Sequence, residues 1–120
     1  MQGLKVGHVS HQEWGTGLTV FLFDRAAVGS YVLCGSGPAS HELAPLEPDN
    51  SVERVHALLF SGGSAYGLHA ANGVMRYLTE RGIGLTLPHG IVPIVPAVAI
   101  YDLAHKAAFP PTDADAYQAC

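Results

Sequence analysis

Hydrophobic and polar residues follow short-period patterns that predict strands in the first third of the chain. Leu4–Ser10 has apolar residues on one face and predicts an opening strand. Leu18–Phe23 is a continuous apolar run, typical of a strand buried on both faces. The pair Asp24-Arg25 predicts a turn, and Ala27–Leu33 then resembles an antiparallel return strand.

The middle of the chain combines short apolar runs with glycine and proline. Val52–Val55 predicts a short helical turn, and Ala57–Phe60 predicts the next buried strand. Ile83–Leu87 predicts another short strand. Ile91–Leu103 is apolar but contains two prolines, which favours irregular structure or an edge strand because proline cannot donate to a sheet ladder.

One segment has clear helical periodicity. Ala65–Arg81 repeats apolar residues at three- and four-residue spacing, with Ser64 as a plausible N-cap and Gly82 as a stop signal. Thr112 or Asp113 is expected to cap a last short helix. Strands that precede and surround one strong helix predict a layered α/β or α+β fold.

The amino-acid composition predicts an unusual protein surface. The chain has 120 residues, of which 48% are hydrophobic and 13% are charged, whereas a globular protein usually has about a quarter charged residues. This composition predicts that something other than water covers part of the protein surface. We therefore expect residues 1–120 to form a single partial domain, as a fragment or subunit that is incomplete alone.

Charge and hydropathy exclude several classes of partner. The net charge is −4, and the six basic residues are spread singly, so no basic stripe favours nucleic acid. The N-terminus lacks the pattern of a secretory signal, and Gly90–Ile100 is too short and proline-broken to span a bilayer. Two cysteines indicate no disulfide framework. A cytoplasmic protein with no membrane partner is the prediction.

A glycine-rich loop, Ser61–Gly67, lies between a predicted strand and the predicted helix. Free N–H groups at such a helix start would form a cradle for an anion or oxyanion. The alternative is that Gly62 and Gly63 only permit close packing of helix and sheet. The loop matches neither phosphate-binding glycine motifs nor a nucleophile elbow.

The other candidate residues can also be explained without a functional role. Tyr101, at the end of an apolar run and before Asp102, would donate a hydrogen bond to an oxyanion or simply pack on the core. Cys34 is a possible nucleophile without a recognisable partner. Seven scattered histidines suggest a metal, but they lack the spacing of zinc ligands and have no paired cysteines, so neither a metal nor another cofactor is predicted.

Taken together, several segments resemble the family of the L-aminopeptidase/D-Ala esterase-amidase (DmpA-type), which also contains β-aminopeptidases, a nylon-oligomer hydrolase and a pantetheine hydrolase. They occur in the family's order over most of the chain. The matching segments are Leu46–Val55, Ser61–Leu68, Gly73–Met75, Arg81–Gly84, Val92–Pro96 and Tyr101–Leu103, with Leu4–His8 and Gly17–Phe23 also fitting the family's start.

The resemblance implies an αββα sandwich and an autoprocessing hydrolase of the N-terminal-nucleophile type. In such enzymes a precursor cuts itself before a Ser or Thr, whose freed α-amine, with a pKa near 8, can act as the base. This chain would be the N-terminal segment of the α subunit, inactive alone. Its partners would be the rest of that subunit, a β subunit carrying the nucleophile, further αβ units and a small peptide or amide substrate.

The resemblance also implies roles for individual residues. Tyr101 matches the family's active-site tyrosine, and Gly62, Gly63 and Ser64 would contribute to substrate binding. Ala99 departs from the pattern, because the aminopeptidase members have a glutamate there that binds the substrate's free amine. This favours members that act within an oligomer or on a blocked amide. His41, His69 and Asn72 also replace charged residues of relatives, which implies different local ion pairing.

Two further hypotheses compete with the hydrolase. The first is a non-catalytic structural or binding subunit that has kept the fold and lost the chemistry. The second, weaker one is a metal-binding domain that uses the histidines. A companion chain beginning with Ser or Thr would favour the enzyme over both.

Overall fold

The computed structural model describes residues 2–120 as one mixed sheet with helices against it and a separate small hairpin. Two 3-10 helices cover Ala44–Leu46 and Ser64–Ala70, and the α-helices are α1 (Ala71–Thr79) and α2 (Asp113–Ala119). The strands are β1 (Leu4–His11), β2 (Thr16–Val28), β3 (Ser40–His41), β4 (Arg54–Ser61), β5 (Leu85–Leu87), β6 (Gly90–Val92) and β7 (Ala97–Ala99).

The main sheet has the strand order β1-β2-β4-β7-β3, and β5 and β6 form the hairpin. β4 and β7 are parallel, whereas the other neighbouring pairs are antiparallel. The carboxyl ends of β4 and β7 therefore lie at the same edge of the sheet, beside the start of β2, since Leu18 is paired with Ser61.

The helices cover one face of this sheet. Leu18, Val20 and Leu59 alternate onto that face and are at most 4% exposed, packed with Val74 and Leu78 of α1. The second helix, α2, lies against β1 so closely that a Cβ at Gly7 would collide with the backbone carbonyl of Ala119. This contact explains a glycine inside a strand, because only glycine allows that approach.

The opposite face of the sheet is apolar but open. Cross-strand pairing places Val6 beside Phe21 and Leu58, and Phe60 beside Val98, all on this face. Val6 is 47% exposed and Phe60 is 40% exposed. We call this surface the open face. Within residues 2–120 both α-helices pack on the other side.

Several predictions made from local patterns are confirmed. The opening strand is present and one residue longer than predicted, and the strand predicted at 57–60 lies within the eight-residue β4. Thr112 caps α2 through a capping box with Asp115, whose backbone N–H donates to the Thr112 hydroxyl at 3.2 Å. The mixed α+β class is also confirmed. No helix among the described residues is long and apolar enough to cross a membrane.

Other predictions about elements are wrong. Asp24-Arg25 is not a turn, because β2 continues through both residues to Val28, with an irregularity in its pairing to β4 between Leu22 and Ala27. The predicted return strand 27–33 is therefore absent. β2 also alternates in burial and is not buried on both faces. Val52–Val55 forms no helical turn, since β4 already begins at Arg54.

The predicted helix and the proline-containing segment also differ from expectation. The helix divides into a 3-10 part, Ser64–Ala70, and the α-helix α1, and Ser64 makes no side-chain capping bond. The segment after Gly90 contains β6 and then β7, and β7 is an internal strand between β4 and β3. Both prolines, Pro93 and Pro96, lie before β7, so neither removes a donor from within this strand.

Candidate functional site

The candidate site lies at the sheet edge where β4 and β7 end. Backbone hydrogen bonds join the loop after β4 to its neighbours. The Gly62 N–H donates to the Gly17 carbonyl at 2.8 Å, and the Ser64 N–H donates to the Ile100 carbonyl at 3.0 Å. The Ile100 N–H in turn donates to the Ser61 carbonyl at 2.8 Å. The loop, the start of β2 and the segment after β7 therefore form one connected unit.

Asp102 adds a side-chain connection to the same unit. Its Oδ1 accepts a hydrogen bond from the Gly63 N–H at 2.6 Å, and its Oδ2 accepts one from the Thr16 hydroxyl at 2.6 Å. Carboxylate acceptors make stronger hydrogen bonds than neutral ones. One partly buried side chain thus connects the start of β2, the end of β4 and the segment after β7.

The backbone of this loop is shaped by glycine and by close contacts. Gly63 has a φ of 83° and Ser64 a φ of 55°, both in the left-handed region, which is uncommon for a residue such as serine. A Cβ at Gly67 would collide with the carbonyl oxygen of Gly62. The loop therefore packs closely against the start of the helix that follows it.

The expectation of free N–H groups in this loop does not hold for Gly62, Gly63 and Ser64. The three amides of Gly62, Gly63 and Ser64 all donate to acceptors within the chain. A backbone cradle for an anion needs unpaired N–H groups, and these three are not available. Contact between these residues and a substrate through other atoms stays a prediction.

Tyr101 does not pack on the core, which was one of the two alternatives for this residue. Its side chain is 74% exposed, although both neighbouring residues are fixed. Ile100 before it uses its N–H and its carbonyl, and Asp102 after it uses both carboxylate oxygens. The phenol is therefore an exposed group on an immobilised stretch of backbone.

A cleft of about 460 Å³ opens beside this unit, on the open face of the sheet. This volume falls within the range of small-molecule sites. Gly62 and Asp102 form part of its wall, and Phe60 and Ile100 supply apolar surface. Its other polar side chains include His8, Ser10, Thr16, Thr19, His105 and Lys106.

Hydrogen bonds and aromatic contacts hold the segment after Asp102 in place beside the cleft. The Lys106 ammonium donates to the Gln12 carbonyl at 2.6 Å, and the His105 N–H donates to the Asp102 carbonyl at 2.9 Å. Trp14 lies between the rings of His11, at 4.5 Å, and Phe109, at 5.4 Å. These contacts hold the loop before β2 against the segment after Asp102.

Three of the seven histidines, His8, His11 and His105, line the cleft. His8 Nδ1 lies 2.9 Å from the Thr19 hydroxyl oxygen, and His11 Nε2 lies 3.1 Å from an Asp115 carboxylate oxygen. Among residues 2–120, no three His, Cys, Asp or Glu side chains come together as a metal site. Although partial burial opposes it, hydrogen bonds from Thr112 and the proximity of His11 lower the pKa of Asp115.

A buried histidine fixes the segment that leads into β7. The Ile94 N–H donates to His56 Nδ1 at 3.0 Å, and the Val95 N–H donates to a Glu42 carboxylate oxygen at 2.9 Å. Burial lowers the pKa of His56, outweighing the opposite effect of the Glu42 charge. The neutral ring is the form that accepts the Ile94 bond.

Sequence reasoning missed Thr16 and the structural role of Asp102. The two residues are 86 positions apart, and no local pattern relates a threonine in a loop to a distant carboxylate. The only signal was indirect: Asp102 follows the predicted site residue Tyr101 directly. Neither cysteine lines the cleft: Cys34 is exposed elsewhere, and burial raises the pKa of Cys120 to about 11.

Comparison with known proteins gives one consistent group of relatives, and no family model matches the chain. The chain is 44% identical over 109 residues to an uncharacterized aminopeptidase of Mycobacterium tuberculosis and to one of Mycobacterium bovis. Each match covers 84% of this chain and 32% of the relative. A relative of the same description from Mycobacterium leprae is 42% identical over 112 residues. The chain spans about a third of the length of these relatives.

Proposed function

We propose that this chain is the N-terminal part of a peptidase-type amide hydrolase of the autoprocessing, N-terminal-nucleophile kind. The observation that carries the proposal is the 44% identity to proteins named aminopeptidases, over 84% of the chain. The segments that resemble the DmpA-type family also include the candidate site, Ser61–Leu68 and Tyr101–Leu103. A Ser or Thr at the start of a separate β subunit would be the nucleophile.

Tyr101 is the residue of this chain that we assign to the chemistry. Its exposed phenol stands on fixed backbone, as an oxyanion donor requires, because a preorganised donor needs no rearrangement when charge develops. Such a donor stabilises the transition state by about 3 kcal/mol. Gly62, Gly63 and Ser64 would shape the substrate-binding wall. Gly62 already lines the cleft.

The end of β7 supports a preference among amide substrates. Ala99 is the last residue of this strand and precedes Ile100 and Tyr101. The methyl side chain of alanine cannot accept a hydrogen bond from an ammonium group, so this residue cannot bind the free amine of a substrate. We therefore propose substrates in which the group next to the scissile bond is blocked or lies within an oligomer.

The open face supports a larger assembly. Its half-exposed aromatic and aliphatic side chains, such as Phe60 and Val6, form the kind of surface that a second sheet covers in a sandwich. We propose that the β subunit and the rest of the α subunit supply that layer, giving an αββα arrangement. Further association of αβ units and a cytoplasmic location complete the proposal.

One observation favours a second candidate function, a non-catalytic structural or binding subunit. The N–H groups of Gly62, Gly63 and Ser64 all donate to acceptors within the chain, so the loop connects parts of the fold whether or not a substrate binds. The two candidates differ in what accompanies this chain in the natural protein. Mass spectrometry of the protein purified from its source should show a companion chain that begins with Ser or Thr if the hydrolase proposal is right.

Kinetics of the whole enzyme test the role of Tyr101. Tyr101→Phe should lower kcat about a hundredfold with little change in KM, because an interaction made in the transition state is lost. Tyr66→Phe is a matched control, since Tyr66 is 71% exposed in the neighbouring helix. Blocked and unblocked amino-acid amides should be compared as substrates. Equal turnover by Tyr101→Phe and wild type would refute the assignment.

A further inference from the structure

We infer that Asp102 is a positioning residue, which holds the Tyr101 backbone and the Gly62–Ser64 loop in one geometry through its two carboxylate oxygens. The inference rests on the proposed function for its kinetic consequence. Its structural part stands on the geometry alone.

The two hydrogen bonds of Asp102 restrain different parts of the site. Oδ1 accepts from the Gly63 N–H and Oδ2 accepts from the Thr16 hydroxyl, each at 2.6 Å. Both donors are neutral groups on other elements of the fold. The carboxylate therefore fixes its own position relative to the end of β4 and the start of β2, at the edge where the cleft opens.

Tyr101 is restrained from both sides as a result. The Ile100 N–H and carbonyl are bonded to Ser61 and Ser64, at 2.8 and 3.0 Å. Loss of Asp102 would remove the restraint on one side only. The exposed phenol would then sample more orientations, and proximity effects in catalysis are sensitive to displacements of about 1 Å.

Space around the carboxylate is also limited. A Cβ at Gly62 would fall inside the van der Waals radii of Asp102 Oδ2 and the Thr16 hydroxyl oxygen, and it would lie within 3.0 Å of Asp102 Cγ. The absent side chain at position 62 is thus what lets the carboxylate reach both donors. This close fit distinguishes the arrangement from an incidental surface contact.

Two pairs of variants in the whole protein separate positioning from general destabilisation. Asp102→Ala removes both acceptors, whereas Asp102→Asn can still accept from Gly63 and donate to the Thr16 oxygen, because a hydroxyl accepts as well as donates. Thr16→Val and Thr16→Ser form the second pair, in which only serine keeps the hydroxyl. Each disruptive variant thus has a conservative variant at the same position.

Hydrogen exchange provides the readout that does not depend on activity. Peptides that contain Gly63 and Tyr101 should exchange at least about tenfold faster in Asp102→Ala and Thr16→Val than in wild type. Asp102→Asn and Thr16→Ser should remain close to wild type. Unchanged exchange in both disruptive variants would overturn the inference, whatever the enzyme does. If Asp102→Ala fails to fold, Thr16→Val alone gives the same comparison.

A double-mutant cycle with Tyr101→Phe gives the kinetic readout. In the wild-type background Asp102→Ala should lower kcat at least about tenfold with a smaller change in KM. In the Tyr101→Phe background the same change should have little further effect, because there is no phenolic donor left to position. Equal losses in both backgrounds would contradict the positioning role. If wild type shows no hydrolysis, the proposed function fails, and if Tyr101→Phe shows no loss, the assignment of Tyr101 fails. In either case the exchange result still decides the structural part of the inference.

Discussion

Gly62→Ala is the most direct test of the close contact between Gly62, Thr16 and Asp102. Gly62 is buried and does not have a positive φ, so alanine is compatible with its backbone, and the effect is steric. The new Cβ would occupy the space between the Thr16 hydroxyl and the carboxylate of Asp102. To relieve the collision, the two groups must separate and lose their hydrogen bond of 2.6 Å.

The size of the effect follows from two overlapping costs. A hydrogen bond to a charged group stabilises a protein by about 1.5–3 kcal/mol, and overpacking a filled site costs about 1–3 kcal/mol. Because one movement relieves the collision and breaks the bond, the two costs overlap and do not add. We expect the free energy of unfolding to fall by about 2–4 kcal/mol, after a small gain from the lower unfolded-state entropy of alanine.

Urea unfolding of the full chain, followed by the fluorescence of Trp14, measures this difference. Trp14 is the only tryptophan, and it packs between His11 and Phe109 near the loop that leads to Thr16. Gly37→Ala is the matched control, since nothing lies within 4 Å of a Cβ there. It should leave the free energy of unfolding unchanged or raise it by up to about 1 kcal/mol.

A second substitution identifies the cause of the loss. In a Thr16→Ala background the carboxylate has no hydroxyl partner and can turn away, so Gly62→Ala should cost at least about 1 kcal/mol less than in wild type. The same cost in both backgrounds would show that the collision with Thr16 and Asp102 is not the source. A cost below 0.5 kcal/mol in wild type, on the order of a neutral surface change, would refute the close fit altogether.

Three further predictions concern the rest of the fold. The pKa of His56 is lowered in the folded state, so the free energy of unfolding should fall as the pH drops from 6.5, the ordinary pKa of histidine, toward the lowered pKa. His56→Asn retains an acceptor for the Ile94 N–H and should reduce this pH dependence, measured by urea unfolding at several pH values. Leu59→Ala, at 1% exposure, should cost about 2–5 kcal/mol in urea unfolding, against less than about 1 kcal/mol for Leu87→Ala, at 46% exposure. Thr112→Ala should cost about 1 kcal/mol in the same assay, whereas Thr112→Ser should cost much less.

Each of these predictions has its own contradicting result. An identical pH slope in His56→Asn and wild type would mean that other groups cause the dependence. Similar costs for the two leucine substitutions would place the core elsewhere than between β4 and the helices. A Thr112→Ser variant as unstable as Thr112→Ala would show that the hydroxyl does not cap α2.

Elements set by neighbouring residues could be predicted from the sequence, and elements set by distant partners could not. The β1 strand and the Thr112 cap depend on alternation and on a residue three positions away. β7 has only three residues after a proline, and it is a strand because β4 and β3 pair with it on either side. Its internal position therefore has no local signal.

The same distinction explains the error at Asp24-Arg25. Two adjacent charged residues after an apolar run are typical of a turn, but here they lie on an exposed extension of β2. Asp24 is 3.5 Å from the ammonium of Lys5 on the neighbouring strand, and Ala27 resumes the pairing with Val55. Pairing with distant strands thus outweighs the local preference.

For the candidate site, the sequence identified the right loop but not the state of its polar groups. Gly62 and Gly63 were recognised as points of close approach, and that packing is present. Whether their N–H groups are free depends on Gly17 and Asp102, which lie far away in the sequence. Likewise, an apolar run around Tyr101 does not reveal which side chain turns outward.

The open face and the cleft are parts of one surface, and this relates the proposed partner to the proposed chemistry. Phe60 belongs to the open face and also lines the cleft, next to Thr19, with which it is paired across β2 and β4. A layer that packs on the open face would therefore also cover the cleft and exclude water from it. Ile100 and Asp102, on either side of Tyr101, line the cleft, although Tyr101 itself does not. Exclusion of water beside Tyr101 would strengthen the interaction of its phenol with a developing charge. Under the proposed function, assembly with the second subunit would complete the fold and create the environment that the reaction needs in a single step.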